Sequence, residues 1–365
     1  MATSPTEPQP AQPSPTGSSR GKNAVKHALR IVLITALLFG SLWYAVRDVS
    51  WEEIWTSALS ANIFWVIAAA LVTVLAHIAR AERWKHLIAE GRQIKLLNAF
   101  SATIIGYFMN NLVPRSGEVV RPYVLAKREK RSTSSLLATV VVERILDGVT
   151  LLVILVGIIF IASDEIAGLL QDIDQLKNYT PSDLILQLGI PVGALVVMLI
   201  LVLGTPLGNW LVDRLARILP EKIGGKIHHV FDEFRAGAKF SGGAKGLAGV
   251  VFWSAAIWFG YILSLHCGIL AFGFDTAYGL DFGDSTVLLG ITAVGMAIAP
   301  TPGGFGVFHS FCRITLVSLY GVPLDKALAF AFVLHFAQYI VAIILGPIFA
   351  VREGVSLRSG KTLQA

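Results

Sequence analysis

The sequence predicts an all-α, polytopic membrane protein with about six full crossings and two re-entrant hairpins. Of its 365 residues, 54% are hydrophobic and only 15% are charged, a balance too apolar for a soluble domain of this length. Several apolar runs reach the roughly 18–20 residues needed to cross a bilayer. Basic and acidic loops also alternate along the chain, and this alternation predicts how the crossings are ordered.

The composition excludes several other classes of protein. The net charge of +6 is better explained by cytosolic loops facing anionic lipid than by nucleic-acid binding. Both cysteines, Cys267 and Cys312, fall in apolar segments, which argues against a disulfide framework. No His/Cys cluster has metal-ligand spacing, and we expect neither a metal nor a cofactor.

The ends of the chain predict cytosolic tails around one integral domain. The first 19 residues are rich in Pro, Ser, Thr and Gln, so we expect a disordered cytosolic tail over 1–27. Basic residues then precede an apolar run, 31–46, which is typical of an uncleaved signal anchor. The membrane domain is expected over 28–350, with a second cytosolic tail over 351–365. We expect a bacterial inner membrane and both termini in the cytosol.

The loop charges favour two hairpins that enter the membrane without crossing it. The further apolar segments are 62–80, 97–112, 134–161, 184–203, 247–273, 285–300, 305–320 and 327–349. If every segment crossed, the basic stretches 81–96 and 115–131 would lie on opposite sides, against the positive-inside rule. A hairpin that enters from the cytosol through 97–112 and turns at Pro114 keeps both stretches inside. A second hairpin, over 285–320, would enter from outside and turn at Ala299–Gly306, which leaves the acidic loops 47–61, 162–183 and 274–284 outside and the basic loop 204–246 inside.

A weak internal repeat supports this topology. The pairs Phe64-Trp65 and Phe252-Trp253, and the prolines Pro114 and Pro302, are both 188 residues apart (252 − 64 and 302 − 114). We therefore expect one repeat at about 62–161 and a second at about 250–349, in opposite orientations. Inverted repeats with broken helices that meet near the membrane midplane are typical of transporters.

The first candidate site is the stretch "NNLVPRSGEVVRP", 110–122. Proline ends a helix, glycine permits a sharp turn, and arginine binds two phosphate oxygens through its planar fork. The candidate residues are Asn110, Asn111, Arg115, Glu118 and Arg121. Non-helical backbone at membrane depth is tolerated where protein buries it or water reaches it. The alternative is an interfacial loop whose arginines only touch lipid headgroups.

The second candidate site is a group of charges inside the apolar segment 134–161. Glu143 and Asp147 are four residues apart and share a helix face, and Arg144 is three residues from Asp147. Intramembrane charges are costly and usually face the interior of a helix bundle. We expect Arg115 or Arg121 to lie within salt-bridge distance of Glu143 or Asp147. A structural ion-pair lock and a substrate or proton site both remain open.

Two further stretches are candidates for membrane-depth turns or anchors. In "APTPGGFGVFH", 299–309, backbone amides near Gly303 and Gly304 are expected to bind an anionic headgroup, with close helix packing as the alternative. In "RAERWKHL", 80–87, Trp84 with Arg83 and Lys85 indicates an interface anchor. Contact with a polar cavity is the alternative there for Arg80 and Glu82.

The motifs "RAERW", "NNLVPRSGEVVRP", "VVERILDG" and "APTPGGFGVFH" resemble those of the lysylphosphatidylglycerol synthase transmembrane (flippase-like) family. The resemblance extends over roughly 25–350 and implies an integral membrane protein that moves a lipid between leaflets. In the best-known members, this domain flips aminoacylated phosphatidylglycerol made by a fused cytosolic synthase domain. This chain ends at residue 365 without such a domain, so lysyl transfer is not expected.

The sequence thus favours a transporter of a phosphate-bearing glycolipid or phospholipid over an enzyme. We expect Arg115 and Arg121 to hold the phosphate, while Glu118, Glu143 and Asp147 balance the arginines. The expected partners are the anionic-headgroup lipid and a separate lipid-modifying enzyme, with no nucleic acid; the oligomeric state stays open. The alternatives are a membrane-embedded glycosyl or phosphoryl transferase and a structural partner subunit of a lipid-modifying enzyme.

Overall fold

The computed structural model describes residues 17–88, 91–161, 206–218, 244–299 and 301–354, together with isolated residues between 180 and 225. This described part is helical and contains no strand, which confirms the predicted all-α class. Several predicted features lie outside the described residues: positions 1–16 and 355–365 of the tails, most of the acidic loop 162–183, most of the segment 184–203, most of the loop 204–246 and Pro300.

The described helices follow one another with short connections. In chain order they are α1 (Gly17–Val46), α2 (Trp51–Leu59), α3 (Ile63–Leu87), α4 (Leu96–Leu112), α5 (Gly117–Glu129), α6 (Thr133–Ile161), α7 (Pro206–Ile218), α8 (Ala244–Ala271), α9 (Phe274–Tyr278), α10 (Phe282–Ile298), α11 (Val307–Arg313) and α12 (Leu324–Arg352). Short 3₁₀ turns lie at Gly91–Gln93 and Pro302–Gly304, and a π-helical turn, Ile314–Leu319, extends α11.

Three of the described helices are long and apolar enough to cross a membrane. They are α3, α8 over Lys245–Ala271, and α12, with 25, 27 and 29 residues. At about 1.5 Å per residue, each exceeds the roughly 30 Å of the hydrocarbon layer. Helices α1 and α2 are bent by 75° at their junction and make a fourth span if they count as one.

Helices α3 and α8 form a closely packed antiparallel pair. The N–H of Asn62, at the start of α3, donates to the C=O of Ala271, at the end of α8, over 2.7 Å. At the other end, Arg83 Nη1 donates to Ser254 Oγ over 3.2 Å. The helices pack closely because small residues face each other, as is common in membranes: a Cβ added at Gly260 would lie 3.0 Å from that of Ala76.

Helix α5 folds back against α4 after the break at Pro114. The two helices approach so closely that a Cβ added at Gly117 would lie 1.9 Å from the C=O oxygen of Gly106. Asn110 Oδ1 accepts the N–H of Gly117 over 2.7 Å and closes the turn. Arg115, within the turn, has a φ of 61°, a left-handed conformation that is uncommon for a residue other than glycine.

Helices α10 and α11 form a second pair around a glycine-rich break. A Cβ added at Gly295 of α10 would lie 2.4 Å from the ring of Phe311, which follows the break. Each pair also packs on a long helix from the other part of the chain. Phe108 of α4 lies against Gly346 of α12, and Ile158 of α6 lies against Gly290 of α10.

The N-terminal helices differ from the sequence prediction. Helix α1 begins at Gly17, within the stretch expected to be a disordered tail, and the expected loop 47–61 contains helix α2. Ser50 and Glu53 cap α2 reciprocally, and this capping-box spacing was visible in the sequence. Arg313 of α11 donates to the C=O groups of Tyr44 and Ala45 over 2.6 and 2.9 Å, which fixes the end of α1 against α11.

The contact between α4 and α5 generates a stability prediction. Gly117→Ala should force the two helices apart, because the new methyl group would meet backbone rather than a flexible side chain. Overpacking of this kind costs about 1–3 kcal/mol or more. Thermal unfolding in detergent, followed by tryptophan fluorescence, should show a lower Tm for this variant.

Gly148→Ala is the matched control, since a Cβ added at Gly148, in the exposed middle of α6, meets nothing within 4 Å. Alanine is favoured over glycine in a helix by roughly 0.5–1 kcal/mol, so the Tm should stay unchanged or rise. An equal Tm for both variants would show that α4 and α5 are not in tight contact.

Candidate functional site: an arginine–carboxylate cluster

Three helices bring seven charged side chains together in what we call the ionic cluster. Its members are Arg80 and Arg83 of α3, Glu118 and Arg121 of α5, and Glu143, Arg144 and Asp147 of α6. Within each helix, cluster residues that are three or four positions apart, such as Glu143 and Asp147, lie on the same face. The close approach of α4 and α5 brings the start of α5 beside α6, and so places the charges of α5 next to those of α6.

Arg83 is the central residue of the ionic cluster. Its Nη2 lies 2.7 Å from Asp147 Oδ1 and 3.3 Å from Glu143 Oε1, so a single guanidinium bridges both carboxylates. The second oxygen of Glu143 pairs with Arg121, and the second oxygen of Asp147 pairs with Arg80 over 3.0 Å. The side chains of Arg83 and Glu143 are fully buried. The predicted contact between an arginine of the 110–122 stretch and an acid of α6 is therefore present, through Arg121.

Trp84 completes the buried wall of the cluster. The guanidinium carbon of Arg121 lies 4.8 Å from the centre of the Trp84 ring, a cation–π distance. The indole N–H donates to Thr139 Oγ1 over 2.8 Å. Both Trp84 and Arg83 have no exposed surface, so their interpretation as an interface anchor is wrong. The spacing of Arg80, Arg83 and Trp84 puts all three on the face of α3 that packs inward, and this signal was present in the sequence.

Arg144 and Glu118 form the open edge of the cluster. Arg144 Nε lies 3.5 Å from Glu118 Oε1, and the two side chains are 43% and 35% exposed. Arg144 also approaches Asp147 Oδ2 over 3.5 Å. The four arginines and three carboxylates of the cluster give it a formal charge of +1 (4 − 3).

A layer of polar side chains continues from the cluster along α3 and α8. Arg80 Nε donates to the hydroxyl of Tyr261 over 3.3 Å, and that hydroxyl lies 3.4 Å from the hydroxyl of Tyr107. His77 stacks on Tyr107 with ring centres 4.3 Å apart. Sequence reasoning missed the two tyrosines, because a lone tyrosine in an apolar segment gives no periodic signal.

The remaining predicted site residues lie at the two helix breaks. Tyr339 of α12 joins these breaks: its hydroxyl donates to the C=O of Asn111 over 3.3 Å, and its ring fills the space beside Gly303. The C=O of Gly303 accepts from His335 Nε2 over 3.0 Å, while Gly304 lies beside Met296.

The two other residues predicted in the first turn have different surroundings. The side chain of Asn110 is engaged in closing the turn, through the N–H of Gly117. Arg115 is exposed and has no ionic partner among the described residues.

The part of the chain that the structure describes holds no group of three or more His, Cys, Asp or Glu side chains suited to a metal ion. His309 and His335, whose ring centres are 5.0 Å apart, pack among aromatic rings, and Phe332 lies 4.2 Å from His309. Other ion pairs of the described residues, such as Arg313–Asp48 and Arg128–Glu353, lie outside the ionic cluster.

Comparisons with known proteins show what the chain is similar to. A family profile described as lysylphosphatidylglycerol synthase TM region matches residues 28–346. The UPF0104 membrane protein MJ1595 of Methanocaldococcus jannaschii is 31% identical over 121 residues, which are 32% of this chain and 35% of that protein. The match thus spans about a third of the length of this curated relative. No solved structure matches the chain significantly.

The buried pairs of the cluster generate a prediction about coupling. Arg121→Gln leaves one oxygen of the buried Glu143 without its charged partner, while Arg83 still pairs with the other oxygen. An unsatisfied buried charged group is unfavourable, so we expect a loss of about 1–3 kcal/mol or more. The double variant Arg121→Gln/Glu143→Gln removes both charges and should lose less than the sum of the single variants. The measurement is a double-mutant cycle on unfolding in detergent.

The pair Glu82–Lys85 on α3 is the control cycle, since its side chains are 22% and 15% exposed and its distance is 3.2 Å. A pair of this kind within one helix should show a coupling below about 1 kcal/mol. If the losses of stability for Arg121→Gln and Glu143→Gln are additive, so that their coupling is as small as in the control cycle, the buried ion pair is contradicted.

Proposed function

The chain belongs to the lysylphosphatidylglycerol synthase TM-region family, and from that premise we propose that it moves a phosphate-bearing glycolipid or phospholipid between the leaflets of the bacterial inner membrane. The observation that carries this proposal is the ionic cluster. It lies among helices that include a membrane span, and its formal charge is +1. Buried intramembrane charges are expensive and are typical of transport pathways and ligand sites.

The repeated order of elements supports an inverted repeat within 62–161 and 250–349. In each part a long helix precedes a 17-residue helix, a proline-containing break, a shorter helix and a 29-residue helix. The ring pairs Phe64–Trp65 and Phe252–Trp253 have almost the same geometry, with centres 5.3 and 5.1 Å apart and planes at 75° in both. The corresponding helices α3 and α8 are antiparallel, as opposite orientations of the two repeats require.

The contacts between the two parts also support two re-entrant hairpins. Helices α4 and α5 form the first proposed hairpin, and α10 and α11 form the second. Each packs on the long helix of the other repeat, α12 or α6, and their tips meet at Tyr339. At the second break Thr301 is buried, while Leu112, Val113 and Arg115 at the first break are exposed. Backbone at membrane depth must be buried by protein or reached by water, so the first break would line the water-accessible interior. The lipid headgroup would enter this interior, and the acyl tails would stay in the bilayer.

A membrane-embedded transferase is less consistent with the carboxylates of the cluster. General acid–base catalysis needs a carboxyl group that can reach a substrate proton. Glu143 and Asp147 instead use both of their oxygens to pair with arginines of α3 and α5. They therefore serve the proposed transporter as the fixed counter-charges of the arginines. A purely structural subunit would have no need for a charged edge open to solvent.

Reconstitution tests the proposed function. The purified protein is placed in liposomes with fluorescent phosphatidylglycerol, and accessibility of the label to an impermeant quencher reports its leaflet. We expect the protein to equilibrate the label between leaflets without producing a new lipid species by mass spectrometry. A new lipid species would support the transferase. The assay is repeated with a fluorescent glycolipid, and if the quencher-accessible fraction of neither label changes, transport is contradicted.

Arg115 supplies a variant for the same assay. Arg115→Lys keeps the charge but loses the planar fork that binds two phosphate oxygens. The flipping rate should fall about tenfold, which corresponds to about 1.4 kcal/mol, while the Tm stays unchanged. Arg128→Lys is the matched control, since Arg128 is also exposed, at 47%, and lies at the other end of α5. A normal rate for Arg115→Lys would make this arginine a headgroup-layer anchor.

The re-entrant topology makes a separate prediction about sidedness. In a Cys267→Ala, Cys312→Ala background, we expect a cysteine introduced at Ser60 to react with an impermeant thiol reagent outside intact cells. A cysteine introduced at Ser132 should react only in opened cells, because 115–131 is expected in the cytosol. Both serines are exposed. Labelling of the Ser132 position from outside would contradict the hairpin at Pro114.

A further inference from the structure

We propose that Glu118 is an internal substitute for the phosphate of the substrate: it pairs with Arg144 while the site is empty, and an anionic lipid headgroup displaces it. Arg144 is thereby assigned as the ligand of the phosphate. Glu118 competes with the headgroup for Arg144 and so lowers the affinity of the site. The inference rests on the proposed function and assigns its site. It departs from the sequence-based expectation that Arg121 holds the phosphate.

The buried arginines are unavailable to a ligand. Arg83 and Arg121 pair with Glu143, and Arg80 and Arg83 pair with Asp147. The side chains of these arginines are at most 5% exposed. A headgroup that used them would have to break these pairs and leave the buried carboxylates alone, which is strongly unfavourable.

The Arg144–Glu118 pair is the exchangeable one. Its 3.5 Å separation exceeds the 2.7–3.3 Å separations of the interior pairs that involve Arg80 and Arg83. Both side chains are more than a third exposed. In the water-accessible interior that the proposed function requires, such an exposed ion pair contributes little to stability. Once displaced, Glu118 can turn into solvent and keep its charge hydrated, so displacement costs little.

The surroundings of Glu118 suit an anion in general. Glu118 lies in the first turn of the 13-residue helix α5, where the helix dipole stabilises negative charge. Arg115 lies one turn earlier, and its C=O accepts the N–H of Glu118 over 3.3 Å. A phosphate at the position of the Glu118 carboxylate would therefore have Arg144 on one side and the helix dipole behind it. Arg115, which has no ionic partner among the described residues, precedes Glu118 by three residues. Phosphate and carboxylate bind the arginine fork in the same way.

This competition predicts the class of headgroup that the site takes. A ligand must supply a negative charge to replace that of Glu118 on Arg144. The site should therefore prefer a lipid with a net negative phosphate headgroup over a zwitterionic lipid of the same tail length.

The test measures binding to the full-length protein in detergent. The probes are dihexanoyl phosphatidylglycerol, dihexanoyl phosphatidylcholine and inorganic phosphate, each titrated by calorimetry. We expect the wild type to bind dihexanoyl phosphatidylglycerol with higher affinity than dihexanoyl phosphatidylcholine. Tight binding of inorganic phosphate alone would mean that the site takes a free anion rather than a lipid headgroup, and would overturn the assignment.

Glu118→Gln removes the competing charge and should tighten phosphatidylglycerol binding about three- to fivefold, the value of an exposed ion pair. Arg144→Gln should weaken it about tenfold or more, because the charge-assisted contact is lost. Glu129→Gln is the matched control and should leave the affinity unchanged. Glu129 lies at the far end of α5, where it accepts a hydrogen bond from Asn98 over 2.7 Å. Arg128→Gln should also leave the affinity unchanged, since Arg128 pairs with Glu353 at 3.6 Å and is 47% exposed.

The outcomes separate this inference from the proposed function. If the wild type binds and flips phosphatidylglycerol but Glu118→Gln binds it no more tightly, the inference is wrong and the function stands. If no lipid probe binds or is flipped, the proposed function is wrong, and the inference that rests on it is wrong too. Glu118→Ala is the second variant, and unfolding of both Glu118 variants would make this residue a structural lock and overturn the inference.

Discussion

The bridge from Arg83 to Glu143 and Asp147 is the constraint on which the rest of the site depends. One fully buried guanidinium contacts two carboxylates on successive turns of α6, so α3 and α6 can approach in one register only. In a medium without water, each of these charges must have a partner. Glu143 therefore needs Arg121 for its second oxygen, and that need fixes α5 as well. The break at Pro114 and the contact between Gly106 and Gly117 are the backbone features that bring α5 there.

The same constraint divides the charges into two groups with different roles. The interior pairs are short and buried, and they hold three helices together. The pair Arg144–Glu118 is longer and half-exposed, although Arg144 directly follows Glu143 in sequence. Adjacent residues on a helix point about 100° apart, so α6 turns one charge into the bundle and the next toward the opening. A single helical turn thus supplies the structural lock and, in the proposed function, also the open site; the sequence had left these two as alternatives.

The sequence predicted the helical class, both breaks and the five charged residues of α5 and α6 in the cluster, because prolines, glycines and charges in apolar segments are conspicuous. It misread Arg83 and Trp84, because an arginine and a tryptophan near a helix end are equally typical of a membrane interface. Only the packing of α3 against α6 and α8 distinguishes the two cases. Tyr261 was missed for a related reason: the polar atom of a tyrosine acquires its meaning from a partner on another helix.

The charge balance of the cluster makes the open edge dependent on its environment. Three carboxylates cannot neutralise four arginines. The interior holds Arg80, Arg83 and Arg121 with only Glu143 and Asp147, a formal charge of +1 (3 − 2), whereas Arg144 and Glu118 balance each other at the edge. A bundle that needed only an ion-pair lock would be better served by equal charges, because an excess charge near hydrocarbon raises the free energy of the folded state. In the proposed exchange, an anion that replaces Glu118 on Arg144 is attracted by this positive interior and leaves the pairs of Arg83 intact. The interior pairs therefore stabilise the fold, and in the proposed function a ligand completes the edge.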